Sequence, residues 1–362
     1  MTPLPLAPSS FKKFAEVRRK TLRVSQADLV TATCLHPRQL LPLVIQPTVD
    51  GIDVVSWATS NREYVEAQLL RHGGILFRDF TMTSVTDFER FMVAVVGELI
   101  AYHDQTTPRS PVTGNIYTST EYPAAQRIEL HNESAYAAAW PLKIGFFCLT
   151  PPQHGGETPI ADVRNVFTRI DPKIRERFMQ QHVRYVRNFG GGLGIPWETA
   201  FQTRERAVME TYCRSADIMF EWQAGNRLRT QQVRPAVARH PRTGEMVWFN
   251  QATAFHVSTL EPALREALLA EVPEEEVPKN VYYGDGARIE PVVLAALREA
   301  YRQETVAFPW QEGDLLLLDN MLVAHGRAPF VGPRKIVVGM AEPLHWQDMG
   351  HRGAEGQACH TK

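Results

Sequence analysis

The chain has 362 residues, 44% of them hydrophobic, with a formal charge of -1 and a pI near 6.9. That is apolar material enough for one large domain or two ordinary ones, with no net field to draw it to nucleic acid or an acidic membrane surface. Its four cysteines (Cys34, Cys148, Cys213, Cys359) show no C-x-x-C spacing, which argues against a zinc ribbon or a disulfide framework.

Residues 1–50 read as an N-terminal arm and lead-in. Ser10 to Arg23 carries Lys12, Lys13, Arg18, Arg19, Lys20 and Arg23 against Glu16, followed by Pro37, Pro42 and Pro47. A solvated arm is the preferred reading; a docking patch for an acidic carrier protein is the sharper one. There is no apolar core of signal-peptide length, and the run Leu315 to Leu318 is far too short to span a bilayer, so a cytoplasmic protein with no membrane partner is expected.

From residue 51 the pattern becomes regular. Thr59 or Ser60 is placed to cap a helix through Leu70, stopped by Gly73-Gly74, and Ile75-Leu76-Phe77 reads as a buried strand. Ser84 to Val96 gives another helix. Short apolar runs then follow at 144–149, 246–249, 315–318 and 336–340, separated by turn-rich segments, as in a sandwich or barrel. Helices are expected at 171–181, 203–214, 261–272 and 290–304. The layout is one catalytic domain, 51–345, with a helical insertion at about 165–310 and a C-terminal tail from 346.

The chemistry concentrates in two places. On extended chain, residues i and i+2 share a side, so His131 and Glu133 of His131-Asn132-Glu133 can reach one ion. A second histidine, His325, ends the run Asp319-Asn320-Met321-Leu322-Val323-Ala324 and precedes Gly326-Arg327. Two imidazoles and a carboxylate are the ligands of a mononuclear non-haem iron(II) site that leaves positions open. Beyond them Arg334 starts an apolar strand, where a guanidinium needs an anionic partner. That partner is either a dicarboxylate co-substrate or a protein carboxylate, and alternation lets only one of Arg334 and Lys335 point inward. His256 is the rival third ligand but lacks a following Gly-Arg.

Together with Gly155-Gly156-Glu157-Thr158 and Trp248-Phe249-Asn250-Gln251, these motifs make the chain resemble the taurine dioxygenase/TfdA superfamily of iron(II)- and 2-oxoglutarate-dependent oxygenases. The resemblance is strongest to the branch near clavaminate synthase and the syringomycin-type amino-acid hydroxylases. It implies a mainly β fold with α inserts, a double-stranded β-helix (jelly-roll) core. It also implies Fe(II), 2-oxoglutarate and O2 as cofactor and co-substrates, with His131, Glu133 and His325 on the metal and Thr158 and Arg334 on the distal carboxylate of 2-oxoglutarate.

Asn132, Asn250 and Gln251 are candidates to present amides to a small-molecule substrate, which the resemblance makes an amino acid or derivative, free or carrier-bound, in specialised metabolism. Hydroxylation giving succinate and CO2 is the expected outcome; desaturation, epoxidation and oxidative cyclisation share the ligand set. The carboxylate at 133 speaks against halogenation, for which related enzymes leave that position without a ligand. Gly339 stands where taurine-type members can carry a second arginine, which speaks against a taurine-like substrate. A cupin-like metal isomerase and a non-catalytic binding protein are the more distant alternatives.

Overall fold

The computed structural model describes residues 29–349 except 38, 102–108, 121, 191 and 193. The basic stretch Ser10 to Arg23 and residues 350–362 lie outside the described residues.

The organising strand is Leu315–Asp319, whose four leucines are all fully buried because the strand is covered on both faces. Alternation divides them. Leu316 and Leu318 enter one apolar core with Ile144, Phe146 and Val338. Leu315 and Leu317 enter a second with Phe88, Phe91 and Val65 from the N-terminal helices. The strand lies inside an eight-stranded sheet, ordered Val30–His36, Gln39–Pro47, Gly74–Phe77, Leu315–Asp319, Ala139–Thr150, Lys335–His345, Ile116–Thr118 and Pro111–Thr113. Only the Gln39–Pro47 and Gly74–Phe77 pair is parallel. The proline-bearing lead-in is therefore paired chain, contributing a hairpin to one edge of this sheet.

A second sheet, ordered Thr305–Val306, Ile160–Asp162, Val323–Arg327 and Ile128–His131, closes over the first core, which contains Ile160, Val323 and Ala324 beside Leu316 and Phe146. This is the expected double-stranded β-helix. The chain passes from one sheet to the other through Asp319 and Asn320. Asp319 Oδ1 accepts from the Met321 and Leu322 N–H groups at 3.0 and 3.2 Å, and its Oδ2 lies 3.1 Å from Lys143 Nζ, both side chains fully buried. Although burial opposes ionisation, Lys143 and His240 hold the Asp319 carboxyl down to about 2.

The helix expected from Thr59 or Ser60 through Leu70 is Arg62–His72, starting after Asn61, and a further helix precedes it. Val54–Ser60 is capped by Asp53, whose carboxylate accepts from the Val55 and Ser56 N–H groups, and Arg62–His72 follows a break at Asn61. Ser84 caps Val85–Val96 as expected. The insertion contains the anticipated helices Pro172–Gln181, Arg206–Ser215, Pro262–Glu271 and Pro291–Glu304. It also contains a four-stranded antiparallel sheet, ordered Met219–Gln223, Arg227–Arg234, Val183–Phe189 and Lys279–Tyr283, that the apolar pattern conceals. In Arg227–Arg234 the buried alternate residues are Leu228, Thr230, Gln232 and Arg234, so three of the four inward positions are polar. Past the last strand, Trp346–Met349 is a helical turn rather than loose tail, with the Trp346 ring 4.6 Å from that of Trp140.

Candidate active site

His131 ends the strand Ile128–His131, and His325 lies in the middle of Val323–Arg327. These strands are antiparallel neighbours and pair the two histidines in register. Their ring centroids are 4.5 Å apart. Glycine at 326 permits the approach, since a Cβ there would come within 2.6 Å of the Ile128 carbonyl oxygen. Glu133 is placed by Asn320, whose Oδ1 accepts from the Glu133 N–H at 2.7 Å while its Nδ2 donates to the Glu133 and Pro141 carbonyls at 2.9 and 2.8 Å. The Asp319-Asn320 pair therefore builds both the turn that delivers His325 and the seat of Glu133.

One ligand atom from each of His131, Glu133 and His325 lies within 4.8 Å of the others. The donor set fits a divalent metal. Burial lowers the pKa of both imidazoles, His325 well below its ordinary value of 6.5 with His131 and Arg109 adding to the effect, so both lone pairs are available at neutral pH. His131 Nδ1 is 2.8 Å from the Glu129 carbonyl, which fixes it as the N–H and leaves Nε2 to coordinate. His325 Nε2 lies 3.8 Å from Glu133 Oε2, and its Nδ1 is buried without a hydrogen-bond partner. Arg109 donates to Glu133 Oε2 at 2.6 Å. Nothing in the sequence around Arg109 announces that contact.

Two cavities meet at these ligands. The first, about 30 Å³, is lined by His131, His325, Thr158, Ser119 and Arg334. Arg334 donates from Nε to the Gly156 carbonyl at 2.9 Å and from Nη1 to Ser119 Oγ at 3.2 Å, and its Nη2 is 3.5 Å from Thr158 Oγ1. Trp310 Nε1 reaches the same hydroxyl at 3.2 Å. Among the described residues no carboxylate forms an ion pair with Arg334, and burial, with Arg327 nearby, lowers its guanidinium to about 10. Lys335 is exposed, which resolves the inward position in favour of Arg334. The Gly155-Gly156 turn matters for space as well as for conformation: both glycines have positive φ, and a Cβ at Gly155 would sit 2.2 Å from the Pro329 carbonyl oxygen.

Arg327, directly after Gly326, is a loop staple. It donates to the backbone carbonyls of Tyr122 at 2.9 Å, Pro123 at 2.7 Å and Gln126 at 3.0 Å. Gly339 faces away from the metal ligands, where an added Cβ would meet Ile116, Leu99 and Phe88.

The second cavity, about 110 Å³, is lined by His131, Glu133, Arg109, Gln251, Glu129 and Lys279. Of the three amide candidates only Gln251 borders it. Asn132 and Asn250 are buried in the packing, donating to the Asn320 carbonyl at 2.6 Å and the Ala236 carbonyl at 2.8 Å. Gln251 itself braces the ligand segment, donating to the Asn132 carbonyl at 2.7 Å. His256 stands outside the metal cluster with Nδ1 2.8 Å from Ser258 Oγ. Sequence reasoning passed over Arg109, Ser119, Trp310 and Lys279. Of the residues whose work it did not foresee, only Asn320 and Arg327 lay inside a recognisable motif.

The profile of the family described as "Taurine catabolism dioxygenase TauD, TfdA family" matches residues 37–340. The dapdiamide synthesis protein DdaC of Enterobacter agglomerans is 38% identical over 312 residues, 83% of this chain and 95% of that protein. A clavaminate synthase-like protein of Arabidopsis thaliana is 28% identical over 319 residues, covering 83% and 93%. In fold, PvcB of Pseudomonas aeruginosa superposes with a TM-score of 0.54 at 16% identity, over 87% of this chain and 94% of its own. The cupin-like isomerase and the non-catalytic binding protein fall away with these matches: the chain belongs to the TauD/TfdA family and is an oxygenase dependent on iron(II), 2-oxoglutarate and O2, acting on a small molecule.

Proposed function

We propose that His131, Glu133 and His325 hold the iron, that Arg334 and Thr158 hold the distal carboxylate of 2-oxoglutarate, and that the enzyme hydroxylates an amino acid or amino-acid derivative, free or carrier-bound, in specialised metabolite biosynthesis. The observation that carries this reading is Arg334: a largely buried guanidinium beside the ligand cluster, lacking a carboxylate among the described residues. A buried cation without an anion is costly, and a dicarboxylate co-substrate supplies one. Relationship to a protein of dapdiamide synthesis supports the biosynthetic setting. None of the described cysteines forms a disulfide, and no helix among the described residues is long and apolar enough to cross a membrane, which supports a cytoplasmic setting.

Bound iron(II) with 2-oxoglutarate supplies O2 activation coupled to decarboxylation, leaving succinate and CO2. The chain's own residues supply position and dryness. The Arg334 fork offers two parallel donors to a carboxylate, and the Thr158 hydroxyl adds a third from the side braced by Trp310. Phe146 packs against His325 with ring centroids 5.1 Å apart, walling the ligands with an apolar surface. Asn320 fixes the Glu133 backbone, so the carboxylate arm turns about a held Cα.

The test is reconstitution with Fe(II) under anaerobic conditions, followed by 2-oxoglutarate, O2 and a panel of amino acids and N-acyl amino acids. Succinate formation stimulated by at least one member, with an oxygenated product, is expected. Succinate formation that no member stimulates would count against an amino-acid-type substrate.

A further inference from the structure

We infer that Lys279 is the anchor for a carboxylate on the substrate, an assignment that rests on the oxygenase site proposed above and specifies the chemistry of its second cavity. Lys279 opens the strand Lys279–Tyr283 of the insertion sheet and lines the cavity that also exposes the metal ligands His131 and Glu133. Its ammonium stands 5.0 Å from the centre of the Phe255 ring, an aromatic face that steadies a cation without neutralising it. Among the described residues no carboxylate lies within ion-pairing distance of it. The acidic groups on the same cavity are otherwise placed: Glu133 accepts from Arg109 at 2.6 Å, and Glu129 comes no closer than the ion-pairing limit.

The neighbouring strand sharpens the imbalance. Lys279 is in register with Arg187 across the antiparallel pair, two cations directly opposite each other, an arrangement that costs stability. Burial, and then Arg187, lowers the Lys279 ammonium to about 8. A partly buried cation with an aromatic brace, a like charge opposite and an open cavity in front is an anion site that no carboxylate among the described residues fills. Arg334 lines the other cavity, and on this assignment the anions divide: co-substrate dicarboxylate on Arg334, substrate carboxylate on Lys279.

Binding can be measured without turnover by calorimetry on protein loaded with Mn(II) and 2-oxoglutarate. The probes are L-amino acids and N-acetyl-L-amino acids, each paired with its carboxamide. At least one acid should bind about tenfold or more tightly than its amide. Lys279→Met should erase that preference and Lys279→Arg should keep it, with 2-oxoglutarate affinity unchanged in both and no fall in melting temperature for Lys279→Met, which relieves the Arg187 opposition. A panel in which no acid is preferred over its amide, a preference that survives Lys279→Met, or a Lys279→Met protein that loses 2-oxoglutarate instead would each overturn the assignment. Acid binding through Lys279 without an oxygenated product would leave the anchor standing and remove the hydroxylase reading. Turnover indifferent to Lys279→Met would do the reverse.

Discussion

The two cavities that meet at His131, Glu133 and His325 share Arg109, Thr120, Ile128 and His131 and differ in the rest of their lining. The first is walled by the jelly roll itself: Thr158, Ser119 and Arg334 come from segments tied to its paired strands, and their spacing along the chain follows the sheet register. The second adds Gln251, before the short helix Ala252–Phe255, and Lys279, from the four-stranded sheet that contains Lys279–Tyr283. On the proposed assignments the first keeps its co-substrate wherever the register is kept, while the second varies its ligand at Lys279; Gln251 is tied to the metal segment through the Asn132 carbonyl. An enzyme family that shares a co-substrate and varies its substrate requires this separation.

Removing a metal ligand should affect both cavities and so have the largest effect. His325→Ala is expected to lose more than about 1,000-fold in activity and to bind less than stoichiometric Fe(II), measured by metal analysis after anaerobic loading. Retention of stoichiometric metal would break the link between the cavities. Arg334→Met should affect one side only. Losing a bidentate, charge-assisted pair costs about 3 kcal/mol, so 2-oxoglutarate affinity should fall about 100-fold while Fe(II) binding persists.

Acidification tests the buried histidines. Both have folded-state pKa values below 6.5, so as pH falls below that value the unfolded chain takes up protons that the native chain refuses. The metal-free protein should lose stability in that window by about 1.4 kcal/mol per histidine per pH unit, down to the folded-state pKa, and should show no such loss above pH 7. A melting temperature flat between pH 7 and 5.5 would contradict the assigned burial. The smallest effect should come from Thr158→Val, which removes a single hydroxyl donor to the carboxylate, worth about 1.5 kcal/mol: a rise in the KM for 2-oxoglutarate of about 10-fold, with kcat nearly unchanged.

The same division governs what could be read from the sequence. His131, Glu133, His325, Thr158 and Arg334 belong to recognisable motifs, and the pairing of Ile128–His131 with Val323–Arg327 brings His131 opposite His325. The helices of the insertion announced themselves through Asp171, Glu261 and proline starts. Its sheet did not, because Thr230, Gln232 and Arg234 point inward where apolar residues would signal a strand. Lys279 and Arg109 are single charged residues outside any motif, given meaning only by the cavity that they share. Asn132 and Asn250 show the converse: polar residues in motifs that spend their donors on backbone carbonyls.

The most direct test is a crystal structure of the protein with Mn(II) and 2-oxoglutarate, with the metal located by its anomalous signal. The account predicts one metal peak contacted by His131, Glu133 and His325, and the distal carboxylate of 2-oxoglutarate on Arg334 and Thr158, with the Lys279 cavity left open. A metal held by other residues, or 2-oxoglutarate seated on Lys279, would contradict it.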